Sequence, residues 1–222
     1  MYILNIETST KNCSVSIGYE EKVIDVLEYA GENYSHAEKL HIFIRDILKR
    51  NQLKPSDLTA VSVSKGPGSY TGLRIGVSAA KGLAYALDIP LIAVPTLHSL
   101  AKKVKPGSPA FIIPLIDARR MEVYSAVYNQ NHELIRQVKA EILEDNIFNH
   151  YLDKQKVYFV GDAVEKTKTL INHKNAIFLD EKFPSAKEMH VLSYQKLLKK
   201  EFEDVAYFEP FYLKDFIITT KK

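Results

Sequence analysis

The stretch SKGPGSYTGLRIG, residues 64–76, decides the fold and contains four of the chain's nine glycines. It follows an apolar segment with strand composition, Leu58–Ser64, and leads into a helical pattern over Tyr70–Leu87. Glycines at a strand-to-helix turn either hold an anion at the helix N-terminus or let two backbones approach closely. The spacing of the glycines and the helix that follows indicate which use applies.

The glycine spacing does not match the common nucleotide-binding loops. A Walker A loop requires GxxxxGK[ST], and no Lys-Ser/Thr pair follows Gly72. The dinucleotide fingerprint GxGxxG also fails, because Gly66, Gly68 and Gly72 have a different spacing. An anion-binding turn around Gly66 and Ser69 is therefore the less favoured alternative, since glycine and proline mark ordinary turns more often than ligand sites.

The helix after the turn is apolar around most of its circumference. One face contains glycines and other small or apolar residues, namely Gly72, Gly76, Ala79 and Leu83. The polar positions form a single strip, namely Arg74, Ser78, Lys81, Tyr85 and Asp88. Such a helix is buried on more than one side. We expect one side to cover its own sheet and the glycine side to meet a close neighbour, which is a second helix, another chain, or both.

The first half of the chain reads as three strands followed by alternating helices and strands. The predicted strands are Tyr2–Ile6, Cys13–Gly18, Val23–Tyr29, Leu58–Ser64 and Pro90–Val94. The predicted helices are Ser35–Arg50, Tyr70–Leu87 and Thr96–Lys103. Ser35 and Glu38 form a capping box at the start of the first helix. Pro106, Gly107 and Pro109 then mark a hinge.

The second half repeats this order of elements. Its predicted strands are Ala110–Asp117, Met121–Tyr128, Glu133–Lys139, Lys156–Val160 and Ala176–Leu179, and its predicted helices are Ile142–Tyr151, Ala163–Asn172 and Ser185–Glu201. This duplication predicts an α/β protein with the actin-like (ASKHA) fold of actin, Hsp70 and sugar kinases, built from two βββαβα-type subdomains. We place the subdomains at 1–104 and 105–222, and we expect the last helix to pack back on the first subdomain.

Composition excludes several classes of protein. The chain has 222 residues and a net charge of +3, which permits nucleic-acid binding without indicating it. The lone Cys13 allows neither an intrachain disulfide nor a cysteine-based metal site. The N-terminus lacks the pattern of a signal peptide, and no apolar run approaches the ~20 residues of a membrane span. We therefore predict a cytoplasmic protein without membrane contact.

The chain contains no complete catalytic constellation. The segment HAEKLH, residues 36–41, does not match the H-E-x-x-H pattern of zinc proteases. Glu7 and Asp117 end the first strand of each half, where actin-like ATPases place acidic residues near the metal. The turn after Asp117, DARRME, has no glycine to admit a phosphate. We predict no metal site and the remains of a nucleotide or anion site formed by Glu7, Thr8, Ser9, Gly66, Gly68, Ser69, Asp117 and Gly161.

Taken together, these residues resemble the TsaB (YeaZ) family. The segments that carry the resemblance are ILNIETST, SHAEKL, SKGPGSYTGLRIGVSAAKGLAYALDIPLIAV, IDARRMEVY and PFYLKDF. The resemblance implies a bacterial protein that helps to form N6-threonylcarbamoyladenosine next to the anticodon of tRNAs reading codons that start with A. It implies a non-catalytic scaffold that binds the catalytic paralogue TsaD and helps to recruit the ATPase TsaE.

The resemblance also bears on metal and cofactor binding. TsaD carries H-x-x-x-H metal ligands after the strand that corresponds to Pro90–Val94, whereas here those positions hold Thr96 and Leu100, with His98 between them. The resemblance therefore implies no tightly bound cofactor, with ATP or ADP only at an interface shared with partners, and a tRNA contact that is indirect or shared. The alternative is an independent actin-fold ATPase or a glycoprotease-like metallopeptidase, which Glu7 and Asp117 motivate.

The family pairs through the helices that match Ser35–Arg50 and Tyr70–Leu87, either as a homodimer or with TsaD. This pairing favours an intermolecular use of the glycine face, with the polar strip at its rim. The candidate interface residues are Ser35, His36, Lys39, Leu40, Phe43, Tyr70, Gly72, Leu73, Gly76, Val77, Ala79, Ala80 and Leu83.

Overall fold

The first half of the chain forms a mixed five-stranded sheet in the structure, a computed structural model that describes residues 1–31 and 36–214. Its strands are β1 (Tyr2–Glu7), β2 (Asn12–Tyr19), β3 (Lys22–Ala30), β4 (Leu58–Ser64) and β5 (Leu91–Val94). They lie in the order β3-β2-β1-β4-β5. The first three strands are antiparallel, and β4 and β5 run parallel to β1.

The second half forms a second sheet with the same topology. Its strands are β6 (Ala110–Asp117), β7 (Glu122–Asn129), β8 (Leu134–Ile142), β9 (Lys156–Val160) and β10 (Ala176–Phe178). The order is β10-β9-β6-β7-β8, so β6 takes the central place that β1 has in the first sheet. Strands β6, β7 and β8 are antiparallel, and β9 and β10 run parallel to β6. The predicted duplication is confirmed.

Helices cover both faces of both sheets. They are α1 (His36–Arg50), α2 (Tyr70–Leu87), α3 (Thr96–Ala101), α4 (Asn149–Leu152), α5 (Val164–Lys168) and α6 (Ala186–Lys199), with a short 3-10 turn at Pro55–Asp57. Because side chains alternate along a strand, Leu4 and Ile6 of β1 pack under α1 and α2, and Ile3 packs under α6. Among the described residues, no helix is both long and apolar enough to cross a membrane.

The two halves of the chain exchange helices. Helix α3 belongs to the first half in sequence, but its Leu97 and Leu100 pack with Ile112 of the second sheet. Helix α6 belongs to the second half, but its Met189 packs with Ile3 of the first sheet. A division at residue 104 therefore does not follow the packing of the helices.

Helix α6 attaches to the first sheet through a polar layer as well as apolar contacts. Ser16 Oγ donates to the carbonyl of Ala186 (2.8 Å), and Ser193 Oγ donates to Ser62 Oγ (2.7 Å). His190 Nε2 donates to the carbonyl of Glu20 (2.8 Å), and Asn5 lies beside its Nδ1 (3.4 Å). Burial lowers the pKa of His190, so the neutral ring that this arrangement requires is favoured.

Two predicted helices differ from the observed elements. The helix expected at Ile142–Tyr151 is wrong in its first part, because β8 continues to Ile142 and pairs there with Glu122. The acidic and amide residues of 144–146 then favour a turn over a helix. The helix expected at Ala163–Asn172 ends at Lys168, where Thr169 Oγ1 donates to the carbonyl of Lys166 (2.8 Å). The predicted cap at Ser35 lies outside the described residues.

Candidate functional site

The glycine face of α2 packs on the turn that follows β1. A Cβ on Gly72 would overlap the carbonyl oxygen of Thr8, and a Cβ on Gly76 would overlap Thr8 Oγ1. That hydroxyl donates to the carbonyl of Gly72 (2.7 Å). The close approach that these glycines permit is therefore made inside the chain, and the prediction that they face a second helix or another chain is wrong.

Amides of the glycine-rich turn donate hydrogen bonds within the chain. Gly66 N donates to Thr96 Oγ1 (3.1 Å), and Ser69 N donates to the carbonyl of Ser9 (2.6 Å). Ser69 Oγ in turn accepts from Gly72 N (3.2 Å) as the N-cap of α2. A phosphate cradle requires amides that point at solvent or at a ligand. In the structure, the amides of Gly66, Ser69 and Gly72 instead donate to oxygens of the protein.

Glu7, Thr8 and Ser9 are buried, and Thr8 and Ser9 lie directly against the glycines of the glycine-rich turn and of α2. Glu7 Oε1 accepts from Ser9 N (2.7 Å), whereas Oε2 and the hydroxyl of Ser9 have no hydrogen-bond partner among the described residues. Burial raises the pKa of Glu7 against the opposing effect of the bond from Ser9. The environment of this carboxyl therefore favours its neutral form.

The other predicted members, Asp117 and Gly161, meet at the ends of β6 and β9. Asp162 Oδ1 accepts from Asp117 N (2.8 Å), and burial raises the pKa of Asp162 to about 6. Gly161 has a φ of 128°, and a Cβ there would overlap the carbonyl of Leu115. Within the described ranges, no hydrogen bond or ion pair joins this group to Glu7, Thr8 or Ser9. The predicted site therefore consists of two separate clusters.

Helix α3 does not offer a metal-binding set. Thr96 Oγ1 lies 2.6 Å from Ser64 Oγ, and Leu100 is fully buried in the apolar core. The ring of His98 stacks on Tyr128 with centroids 5.0 Å apart. Across residues 1–31 and 36–214, no cluster of three or more His, Cys, Asp or Glu could hold a metal ion. The residues at these positions therefore do not fit a metal.

The partly buried ring of His98 predicts a loss of stability in acid. Burial, followed by the charge of Lys102, lowers the pKa of His98 to about 4. The unfolded state then binds a proton first as the pH falls, so the contribution of His98 is complete above pH ~6.5 and disappears towards pH ~4. A shift of this size corresponds to about 3 kcal/mol.

The variant His98→Phe isolates this effect, because it keeps a ring on Tyr128 and removes the titrating group. We expect the free energy of unfolding of the wild type to fall by about 3 kcal/mol more than that of the variant between pH ~7 and pH ~4. Urea denaturation at both pH values measures the difference. Equal losses for the two proteins would contradict a neutral His98 whose pKa is lowered in the folded state.

Most of the predicted interface residues are not available to a partner. Those buried within the chain are His36, Leu40, Gly72, Leu73, Gly76, Val77 and Ala80. Those that keep some exposure are Lys39, Phe43, Tyr70, Ala79 and Leu83, and Ser35 lies outside the described residues. The helical wheel grouped the residues of each face correctly, but the chain itself covers the glycine face.

A groove between α1 and α2 lies on the outer side of these helices. It has a volume of about 480 Å³ and is lined by Ala37, His41, Arg74, Ile75, Ser78 and Ala79. On the same helix, a Cβ on Gly82 would meet no atom within 4 Å. Small, exposed residues such as Ser78 and Gly82 allow a partner helix to approach closely. Their spacing was the signal in the sequence that could have identified this surface.

The C-terminal segment lies next to this groove and contacts the polar strip of α2. Lys81 Nζ donates to the carbonyls of Ala206 (3.1 Å) and Phe208 (3.0 Å), and Arg74 Nε donates to the hydroxyl of Tyr212 (3.3 Å). Phe211 N donates to the carbonyl of Lys65 (2.7 Å). Part of the strip that was expected at the rim of an interface therefore holds the chain's own C-terminal segment.

Two duplicated βββαβα halves with exchanged helices define a protein of the actin-like (ASKHA) class. The family model described as "TsaD: tRNA N6-adenosine threonylcarbamoyltransferase" matches residues 32–222. With this match and the relatives described next, the chain belongs to the TsaB (YeaZ) family, within the larger group that the TsaD model covers.

The relatives are named for one pathway. The tRNA threonylcarbamoyladenosine biosynthesis protein TsaB of Bacillus subtilis (strain 168) is 39% identical over 62% of this chain, and the match spans 59% of that protein. The protein of the same name from Buchnera aphidicola subsp. Acyrthosiphon pisum (strain APS) is 32% identical over 84% of this chain and 86% of its own length. The solved structure of YeaZ from Pseudomonas aeruginosa has a TM-score of 0.82 at 26% identity and covers 96% of this chain and 99% of that one.

Proposed function

We propose that this chain takes part in forming N6-threonylcarbamoyladenosine in tRNAs that read codons starting with A, as a non-catalytic scaffold subunit in the cytoplasm. In this role it binds and supports TsaD and helps to recruit TsaE. The names of the TsaB relatives support the pathway. The match to the TsaD family model supports a common fold with the proposed catalytic partner.

One observation supports the scaffold role most directly. The positions that correspond to the metal ligands of TsaD hold Thr96 and Leu100, and both side chains are fully buried. Thr96 is bonded to Ser64 and to the amide of Gly66, and Leu100 is part of the core. A metal site requires ligands that converge on open space. The scaffold therefore leaves the metal chemistry of the reaction to its partner.

We also propose that the groove between α1 and α2 is the surface that binds TsaD, or a second copy of this chain when TsaD is absent. Ala37, Ile75, Ser78 and Ala79 line it with short or apolar side chains, and Arg74 and His41 add polar groups to the lining. Ile42 of α1 is 45% exposed. A lining of small and apolar residues with a few polar groups is suited to a closely packed helical interface.

No tightly bound cofactor is proposed for the isolated chain. The amides of Gly66 and Ser69 are already bonded, and Gly68 packs against Ser9. We place any ATP or ADP at an interface shared with the partner proteins.

Reconstitution tests the proposed function. A tRNA-modifying system that lacks only this component should regain activity when the chain is added, and the chain should co-purify with TsaD. The alternative, an independent actin-fold ATPase or metallopeptidase, predicts tight Mg·ATP binding with turnover, or peptide cleavage, by the isolated chain. Turnover in calorimetry without partners would contradict the scaffold role.

A further inference from the structure

The turn between β6 and β7 presents two consecutive arginines in the left-handed backbone conformation. Arg119 has a φ of 70° and Arg120 a φ of 50°. Glycine, asparagine and aspartate enter this region most readily, and other residues pay a conformational cost there. Both arginine residues are exposed. The turn therefore keeps two long side chains at positions where its backbone favours glycine.

Neighbouring groups fix the backbone of this turn. Asp117 Oδ1 accepts from Arg119 N (2.7 Å), and Glu122 O accepts from Ala118 N (3.1 Å). Lys166 Nζ donates to the carbonyls of Arg120 (3.0 Å) and Glu122 (2.6 Å). These bonds hold the turn against α5, so the backbone from which the two arginine side chains extend is fixed.

Among the described residues, the charges around the turn leave both guanidinium groups without an ion-pair partner. Asp117 is paired with Lys166 (2.8 Å), and Glu122 is paired with Lys214. Within the part of the chain that the structure describes, neither Arg119 nor Arg120 has a side-chain hydrogen bond, ion pair or aromatic contact. The two acidic residues that flank the turn, Asp117 and Glu122, are thus already paired with lysines, and within the described part of the chain the turn presents two positive charges without a partner.

We propose that Arg119 and Arg120 bind neighbouring phosphates of an RNA backbone. The planar guanidinium fork matches two phosphate oxygens, and consecutive Cα atoms about 3.8 Å apart allow both side chains to follow one strand. Two exposed arginines without a partner among the described residues complement the continuous negative charge of a phosphate backbone, and a contact with a protein is a separate outcome of the test below. The inference rests on the proposed function, because that function supplies a tRNA.

The salt dependence of tRNA binding tests this site. The probe is an unmodified tRNA that reads a codon starting with A, bound to the complex of the full chain with TsaD. The double variant Arg119→Gln/Arg120→Gln should reduce the slope of log K against log salt concentration by about 1.4 to 1.8, because each phosphate contact contributes about 0.7 to 0.9. Arg119→Lys/Arg120→Lys should keep the slope, since it keeps both charges.

Two further variants separate a phosphate contact from a general loss of charge and from a change in the backbone of the turn. Lys22→Gln/Lys54→Gln removes two exposed charges on the first subdomain and should leave the slope unchanged. Arg119→Gly/Arg120→Gly should lower tRNA affinity as the glutamine variant does, while its melting temperature is equal to or above that of the wild type, because glycine suits a positive φ.

The outcomes separate this inference from the proposed function. If the wild-type chain restores no modification, the proposed function fails. If it restores modification and Arg119→Gln/Arg120→Gln keeps the full salt slope, only the phosphate site fails. If that variant no longer binds TsaD, the arginines belong to a protein contact and the inference is overturned.

Discussion

Replacing Gly72 with alanine is expected to lower the free energy of unfolding by about 3 kcal/mol, near the upper end for overpacking of a buried site. The added Cβ would overlap the backbone carbonyl of Thr8, which cannot rotate away as a flexible side chain can. Either α2 or the turn after β1 must shift, and the bond from Thr8 Oγ1 to the carbonyl of Gly72 is strained or lost. Urea denaturation followed by circular dichroism measures the change.

The control lies on the same helix. Gly82 has no atom within 4 Å of an added Cβ, so Gly82→Ala should raise the free energy of unfolding by about 1 kcal/mol through helix propensity alone. The two substitutions are chemically identical and differ only in what the methyl group meets. Equal stabilities of the two variants would contradict the packing of α2 on Thr8.

The second large effect concerns association. Ser78 is exposed and lines the groove between α1 and α2, so Ser78→Arg should fill the groove and leave the fold intact. We expect binding to TsaD to weaken about 100-fold, which corresponds to about 2.7 kcal/mol. Calorimetric titration with purified TsaD measures the affinity, and circular dichroism checks that the variant is folded.

Ser56→Arg is the matched control for this experiment. Ser56 is exposed on the 3-10 turn at Pro55–Asp57, and arginine there should leave the affinity for TsaD unchanged. Wild-type affinity in Ser78→Arg would exclude the groove as the binding surface, whereas equal weakening in both variants would indicate a general effect of the added charge.

The elements around the glycine-rich turn could be predicted because local rules agree there. The predicted bounds of Leu58–Ser64 and Tyr70–Leu87 match the observed ones. The strand has a continuous apolar run and the helix has a sustained apolar pattern, and turn residues separate them. The observed cap at Ser69 then fixes the start of the helix. By contrast, the end of β8 has no such signal, and its last residue, the exposed Ile142, was predicted to begin a helix.

The candidate site depends on contacts that sequence does not encode locally. A helical wheel shows that Gly72 and Gly76 share a face, but it does not show that Thr8, which is distant in sequence, occupies the space beside them. In the same way, the residue type does not indicate the left-handed backbone of Arg119 and Arg120, since arginine is not typical of that conformation.

The exchange of α3 and α6 between the two sheets has a consequence for synthesis on the ribosome. The face of the first sheet that carries Ile3, Ile92 and Val94 is covered by α6, which ends at Lys199. The first sheet is complete once Val94 has emerged, yet that face stays uncovered until Lys199 has emerged as well. Exposed apolar strands in nascent chains are prone to aggregation. Synthesis of α6 therefore ends the interval in which this apolar face of the nascent chain is open to aggregation.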